Sequence, residues 1–489
     1  MPKRMRWVVL SLIAAAMIVV GIYISFRFVT EQNLAAKLAQ TRKPRTIDAY
    51  ERLFARIHGE QDSEHTPQTQ QQDATKSEGL PEDAEDILAG YKRLFSLMDA
   101  RGFGAEDIEA RQKRLLDRLE EHSPGNGSGG VMPDMAPEDL VLSRDRSMWS
   151  DAEISKVEDL LLANQDLIAE IRRMAERGGP VYPLDFSETI PIFPPHHTPL
   201  SRCVLLLGTD AFIKAMRNRP CEAVDNIIAG MKLGDALAQE PLTTSHLRRI
   251  VFYGVMNDAL RDSFGGSDLS PQLTARLMTH IAQADNRHAF AESLAGERYL
   301  VHNTFRYIRD ASHWSLSPSP LSYPLYWLYE SPLGRPWVNM DEEAYTDLTN
   351  RFISVAELPY YEPAPELDRI ERDIENMPAS RRGAGVFSHP MLYSFPTQAR
   401  HEATLDLMQM GILIEQYEAR EGCYPESLDA IAPALGGGLP VDPFTGEPYQ
   451  YRLSEDVFLL YSVGQNLTDD GGRHHYRDGD WVWRGREEP

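Results

Sequence analysis

Apolar positions follow three regimes along the chain. From Trp7 to Phe26 the residues are apolar almost without a break, interrupted by Ser11, Gly21 and Ser25, behind Lys3, Arg4 and Arg6. A bilayer core takes ~20 such residues as one helix. Signal-peptide cores are shorter and end at a small-residue cleavage site. The run predicts a retained single-pass anchor, with residues 1–28 forming a short cytoplasmic tail and a transmembrane helix. The apolar spacing then becomes helical but intermittent across 29–198. Ile87, Tyr91, Leu94 and Leu97 mark one helix face, with a break at Gly102-Phe103-Gly104. Ser150-Asp151-Ala152-Glu153 has the form of a capping box and opens a helix running to about Arg177. Residues 60–80 are nearly devoid of apolar side chains, and 122–137 are rich in Gly, Ser and Pro. Such segments bury too little surface to order themselves, so both are expected to be flexible linkers.

Residues 199–380 carry the clearest helical periodicity. Val224, Ile228, Met231 and Ala238 trace one face, and Leu247, Ile250, Val251 and Val255 the next. Pro199, Pro220, Pro241 and Pro271 each suit the first turn of a helix, where a missing N–H costs nothing. Gly230 and Gly234 leave room for a neighbouring helix. Long helices with short joins predict an array of antiparallel αα-hairpins. A packed aromatic loop is expected over 311–340, then helices Met340–Glu357 and Pro365–Met377. In the last segment, 390–489, a helix from Thr397 to Arg420 is apolar on two sides. Leu405, Met408 and Ile412 form one side; Leu407, Met410, Ile414 and Tyr417 form the other. A helix apolar on both sides is buried on both. It should lie between the array and three short strands at Tyr449–Leu453, Val457–Ser462 and Trp481–Trp483. The fold class is therefore mainly α: one N-terminal transmembrane helix, an antiparallel αα-hairpin array, and a small C-terminal α+β module with an antiparallel sheet.

Composition removes several functions. The net charge of −23 over 489 residues argues against nucleic acid as a partner, since phosphate binding relies on a basic surface. Three cysteines without CxxC spacing make neither a disulfide framework nor a zinc knuckle. Cys203, beside Val204-Leu205-Leu206-Leu207, reads as a buried thiol. There is no HExxH, GxSxG or P-loop. Gly125–Gly130 formally fits GxGxxG, but no strand precedes it, so it reads as linker. His196-His197 lie in a proline-rich connector and are expected to be an exposed pair. Arg248-Arg249 and Glu297-Arg298 are expected to make structural ion pairs. Convergence of His197, Arg248, Glu297 and Arg298 in one pocket would instead indicate an enzyme.

The most specific signal is the order of motifs near the C-terminus. A helix ends in Gly422-Cys423-Tyr424-Pro425. Pro440-Val441-Asp442-Pro443 follows, then the strands, and an acidic Gly-rich loop ending in Asp480-Trp481. Over roughly residues 396–483 this resembles the periplasmic head of the major pseudopilin of type II secretion systems. The N-terminal run lacks the Gly-Phe step and the glutamate of a pseudopilin leader, so the resemblance is to the head and not to the fibre-forming stem. The whole chain is similar to large bacterial proteins that join one membrane anchor, a helical array and such a module. The resemblance implies a calcium ion in the loop. By position, Val463 and Gln465 would offer carbonyls, Asn466 stands where an aspartate is expected, and Asp478 and Asp480 fall near the terminal acidic pair. Asp469 and Asp470 add further oxygens of the kind calcium takes; the alternative is an ion-free acidic turn. The expected protein is a non-catalytic periplasmic interaction or scaffold protein anchored in the bacterial inner membrane. Its partners would be the membrane and another protein, in secretion or envelope assembly. The alternative is an envelope hydrolase with its site between array and head.

Overall fold

The computed structural model describes residues 3–41, 43, 45–58, 83–103, 149–178, 182, 184–186, 194–264, 269–284, 287–310, 332–436, 438–454, 457–473 and 479–484. Both expected linkers, the Gly125–Gly130 run and most of the aromatic loop lie outside these residues. In chain order the helices are α1 (Lys3–Leu38), α2 (Arg45–His58), α3 (Ala84–Ala100), α4 (Asp151–Ala163), α5 (Gln165–Glu176), α6 (His197–Met216), α7 (Pro220–Leu237) and α8 (Thr243–Phe264). Then come α9 (Pro271–Ala282), α10 (Arg287–Asp310), α11 (Arg335–Val355), α12 (Ala364–Glu375) and α13 (Arg382–Glu421). A three-stranded antiparallel sheet closes the order, with β1 (Gln450–Ser454), β2 (Val457–Ser462) and β3 (Trp481–Arg484) side by side. The fold is thus mainly helical with one small sheet.

Local signals explain many element ends. Ser150 and Glu153 form the reciprocal capping box at the start of α4. The helix expected to continue to Arg177 is broken at Asn164 into α4 and α5, because the Asn164 amide turns back onto the Leu160 carbonyl. Gly422 takes the left-handed conformation that closes α13, its N–H donating to the Glu418 carbonyl. Pro220 and Pro271 open α7 and α9. Pro241 does not open a helix; it sits in the α7–α8 joint, one residue beyond Glu240.

Besides a small cluster that packs α2 against Phe186, Leu242 and Leu300, two larger cores organise the described residues. The larger runs through α3–α9, the second half of α13 and the sheet, and includes Leu207, Met231, Met256, Met408, Ile412, Phe458 and Trp483. The smaller joins α10, α11 and α12 to the first half of α13 through Phe290, Phe305, Tyr345, Met391 and Phe395. Helix α13 belongs to both. It begins fifteen residues before the Thr397 start expected from periodicity, and contains Pro390 and Pro396. A proline inside a helix removes a hydrogen bond and crowds the preceding turn, at ~3 kcal/mol. Burial of Ala384, Met391, Leu392 and Phe395 against α10–α12 offsets that cost. Polar contacts also fix α13 to α8. His246 bonds Gln398 at 2.9 Å, and His401 packs edge-on against Tyr253 with ring centroids 5.1 Å apart. Burial drives His246 down to about 4 and His401 well below its ordinary value, so both are neutral. Arg249 is fully buried and donates to Asp235 at 3.2 Å, the structural pairing expected for it.

The seam between α13 and the C-terminal module holds one carboxyl in an unfavourable place. Asp406 accepts a 2.8 Å bond from the Tyr449 hydroxyl. Burial, with Glu402 and Asp442 nearby, pushes it up to about 7 against the opposing effects of Tyr449 and Arg287. A carboxyl raised on folding stabilises fully below its unfolded value of about 3.9, and this contribution is lost as pH rises through the folded value. Asp406→Asn should therefore stabilise the protein at pH 8 by about 1–2 kcal/mol, allowing for partial exposure, and have little effect at pH 4. Urea titrations at the two pH values check this; an equal shift at both would refute the assignment.

Helix α1 leaves Met17, Val19, Val20, Ile22, Ile24, Phe28 and Val29 exposed, and then turns one face to the body. Leu34 is buried, Lys37 pairs with Asp347 of α11, and Phe26 meets Trp337 edge-on at 5.9 Å. Among the described residues no helix is long and apolar enough to cross a membrane. The side chains of the first half of the expected span, Trp7–Ala16, lie outside those described.

Candidate functional site

The most concentrated polar chemistry in the interior gathers where two helices begin. Pro194 and Pro195 lead the chain into α6, so that His196 caps the helix and His197 is its first residue. Glu240 belongs to the short α7–α8 joint. Its carbonyl accepts from the Leu242 N–H at 2.8 Å, and Ser245 follows in the first turn of α8. The connector expected to expose the two histidines buries them instead: His196 is 1% and His197 6% exposed, with Glu240 at 2% and Ser245 at 0%. The reason is a partner 44 residues away along the chain. His196 Nε2 lies 2.6 Å from Glu240 Oε1. His197 Nε2 lies 3.4 Å from Oε2 and 3.1 Å from Ser245 Oγ, while the Ser245 hydroxyl donates to Oε2 at 2.5 Å. The ring of Tyr182 stacks on His196 at 4.4 Å and 13°. His196 Nδ1 is buried without a partner among the described residues.

Electrostatics favour the carboxylate. Burial alone would push Glu240 up, but His196 and His197 outweigh it and hold it at about 2. Burial pushes His197 down, partly opposed by Glu240. The N-termini of α6 and α8 add positive potential at the same place. The arrangement is not a serine–histidine–acid relay. That chemistry needs the acid on one imidazole nitrogen and the serine on the other, whereas Ser245 and Glu240 both meet Nε2 of His197. Among the described residues, these two histidines and Glu240 are a group whose ligand atoms lie within 4.8 Å of one another.

Of the other residues whose convergence would indicate an enzyme, Arg248 is near enough to His197 to help lower it, but each bonds elsewhere. Arg248 reaches Ser201 at 3.4 Å, Arg298 donates to Asn350 at 2.6 Å, and Glu297 lies against Thr243, its carboxyl pushed up by burial. A cavity of about 300 Å³ lies elsewhere, lined by Glu31, Leu34, Leu38, Arg309, Arg335 and Asn339.

The acidic loop of the C-terminal module has its own order. Val463 donates its N–H to Asp442 Oδ2 at 3.1 Å, and Phe444 to Oδ1 at 2.9 Å, so the Pro-x-Asp-Pro turn is tied to the end of β2. Asp480, fully buried, accepts from Gly472 at 2.7 Å and Asp470 at 3.4 Å. Burial raises its carboxyl against these bonds, and Asp470 and Asp469 raise it further. Asn466 donates to Asp470 at 2.8 Å. Asp469 turns to the sheet instead, bonding the Tyr461 hydroxyl at 2.7 Å and Arg452 at 2.6 Å; the Tyr461 bond chiefly lowers it. Gln465 is exposed, and Asp478 lies outside the described residues. Gly464 has φ +69°, and a Cβ there would meet the Gly479 carbonyl at 2.6 Å, where the two ends of the loop cross. Asn466, Asp470 and Asp480 are thus linked through the loop, Asp469 is diverted, and Asp442 joins from the preceding turn. The Pro-x-Asp-Pro motif was the available signal for Asp442.

No protein-family model matches the chain, and no curated protein or solved structure matches it.

Proposed function

We propose that this protein is a non-catalytic scaffold, anchored in the bacterial inner membrane by α1, that presents the helical array and a pseudopilin-like module in the periplasm to a protein partner of secretion or envelope assembly. The observation that carries this reading is the division of α1. Its exposed apolar side chains from Met17 to Val29 continue the apolar run begun at Trp7, while Leu34 and Lys37 join the helix firmly to α11. A helix so divided would transmit the orientation of the membrane to the body. On this reading Trp337, edge-on to Phe26, would lie near the membrane–water interface, where aromatic side chains are favoured.

Alkaline phosphatase and a cytoplasm-only fluorescent protein, fused in turn to Pro489, test the orientation. Phosphatase activity without fluorescence is expected, and the reverse result would refute the periplasmic placement. Calcium in the loop is part of the same reading, held by Asp480, Asp470, Asn466 and backbone carbonyls. Its affinity should lie at the weak extracytoplasmic end, roughly 10⁻⁴–10⁻³ M. Calcium at 10 Kd should raise the midpoint of thermal unfolding by a few degrees, and Asp480→Ala should abolish the rise. A calorimetric titration with neither heat nor a shift would reduce the loop to an acidic turn.

A further inference from the structure

We propose that His196, His197 and Glu240 hold a zinc-type divalent ion, with the Ser245 hydroxyl at the fourth position, as a closed structural site. The inference goes beyond the scaffold reading and does not depend on the membrane or on the pseudopilin likeness.

Three observations carry it. First, the donor set suits the ion: two imidazole nitrogens and a carboxylate are a common zinc combination. Second, the donors already lie together, the ligand atoms of His196, His197 and Glu240 falling within 4.8 Å of one another. Zinc bonds of about 2.0–2.2 Å place tetrahedral neighbours about 3.3–3.6 Å apart. The His197–Glu240 separation is 3.4 Å and the His197–Ser245 separation 3.1 Å. The His196–Glu240 contact of 2.6 Å and the Ser245–Glu240 contact of 2.5 Å would each have to open by about an ångström. Third, both imidazoles present Nε2 to the same buried carboxylate, one to each of its oxygens, with Tyr182 stacked on His196. A simple ion pair needs one histidine, and here two converge on the one carboxylate.

The site has a structural logic. It joins the start of α6 to the α7–α8 joint, two places more than forty residues apart along the chain. All four donors are buried, so no coordination position faces solvent. Catalytic zinc keeps an open position and structural zinc does not.

Exposed Cys221 and Cys423 could bind zinc adventitiously. The test therefore uses the untagged full-length protein carrying Cys221→Ser and Cys423→Ser, purified in detergent. After chelator treatment, dialysis against a small excess of zinc and removal of free ion, elemental analysis should find one zinc per chain. The thermal midpoint should rise by at least ~5 °C. His197→Asn and Glu240→Gln should each lower zinc affinity at least 100-fold. In cobalt-loaded protein, His196→Cys should add a thiolate-to-cobalt charge-transfer band absent from the parent. If the folded parent retains no zinc and its midpoint does not move, the cluster is an ion pair only and the proposal fails. Unchanged zinc content in folded Glu240→Gln would equally overturn it. The parent measurement decides the question even if a variant does not fold.

Discussion

Met408→Asp is expected to lower the stability of the array and of the C-terminal module together, by about 4 kcal/mol or more. Met408 is fully buried in the middle of α13, in the core that also contains Met231 and Met256 of the array and Phe458, Leu460 and Trp483 of the sheet. An aspartate there either stays charged without a partner or is protonated at a cost, and loses the packing of the thioether as well. Met408→Leu conserves volume and should cost under ~1.5 kcal/mol. Hydrogen exchange read by mass spectrometry separates the possibilities. Protection should fall in α7 and α8 and in β2 and β3 alike. Loss confined to the strands would mean that the module and the array do not share a core.

Gly296→Ala should cost about 3–4 kcal/mol, although it adds a single methyl group. The new Cβ would stand 1.8 Å from the Pro241 carbonyl oxygen, 2.6 Å from its carbon and 2.8 Å from its Cβ. That obstacle is largely backbone, in a joint tightened by the Glu240–Leu242 turn, so α10 or the joint must move. Gly230→Ala provides the contrast. Its Cβ would meet the Met256 sulfur at 2.2 Å, and a flexible thioether can turn aside. The cost there should stay near 1–2 kcal/mol. Urea midpoints for the two variants test the difference. Equal losses, within about 0.5 kcal/mol, would show that Pro241 yields as easily as a side chain. Because Pro241 adjoins Glu240, Gly296→Ala should also displace the carboxylate that His196 and His197 share.

Much of the scaffold was legible along the chain. The three strands fall within a residue or so of their expected bounds, and Val457–Ser462 coincides with β2. The capping box at Ser150, the left-handed Gly422 and the two-sided burial of Leu405–Ile414 were all present as local patterns. Gly230 and Gly234 do allow close approach, to Met256 and Tyr253. Cys203 is buried, as its apolar neighbours implied, and burial raises its thiol. In each case the deciding interaction lies within a turn or two of the residue, or depends only on whether a face is apolar.

The parts decided by tertiary structure share the opposite property. His196 and His197 are polar residues in a proline-rich connector, and every local signal places them in solvent. They are buried because Glu240 and Ser245, more than forty positions on, supply hydrogen bonds that replace water. Helix α13 passes through Pro390 and Pro396 because two separate cores grip its ends. Arg249 is buried because Asp235 meets it from α7. Asp469 and Asp480 look equivalent in the sequence, yet Asp469 reaches out to the sheet while Asp480 is buried and accepts only from loop N–H groups among the described bonds. Periodicity and local signals determined most of the helix and strand segments and the faces that turn inward, since those depend on spacing and hydrophobicity. Which polar groups could follow them inside depended on partners distant in sequence, because a buried polar group is tolerated only where folding delivers a hydrogen-bonding partner to it.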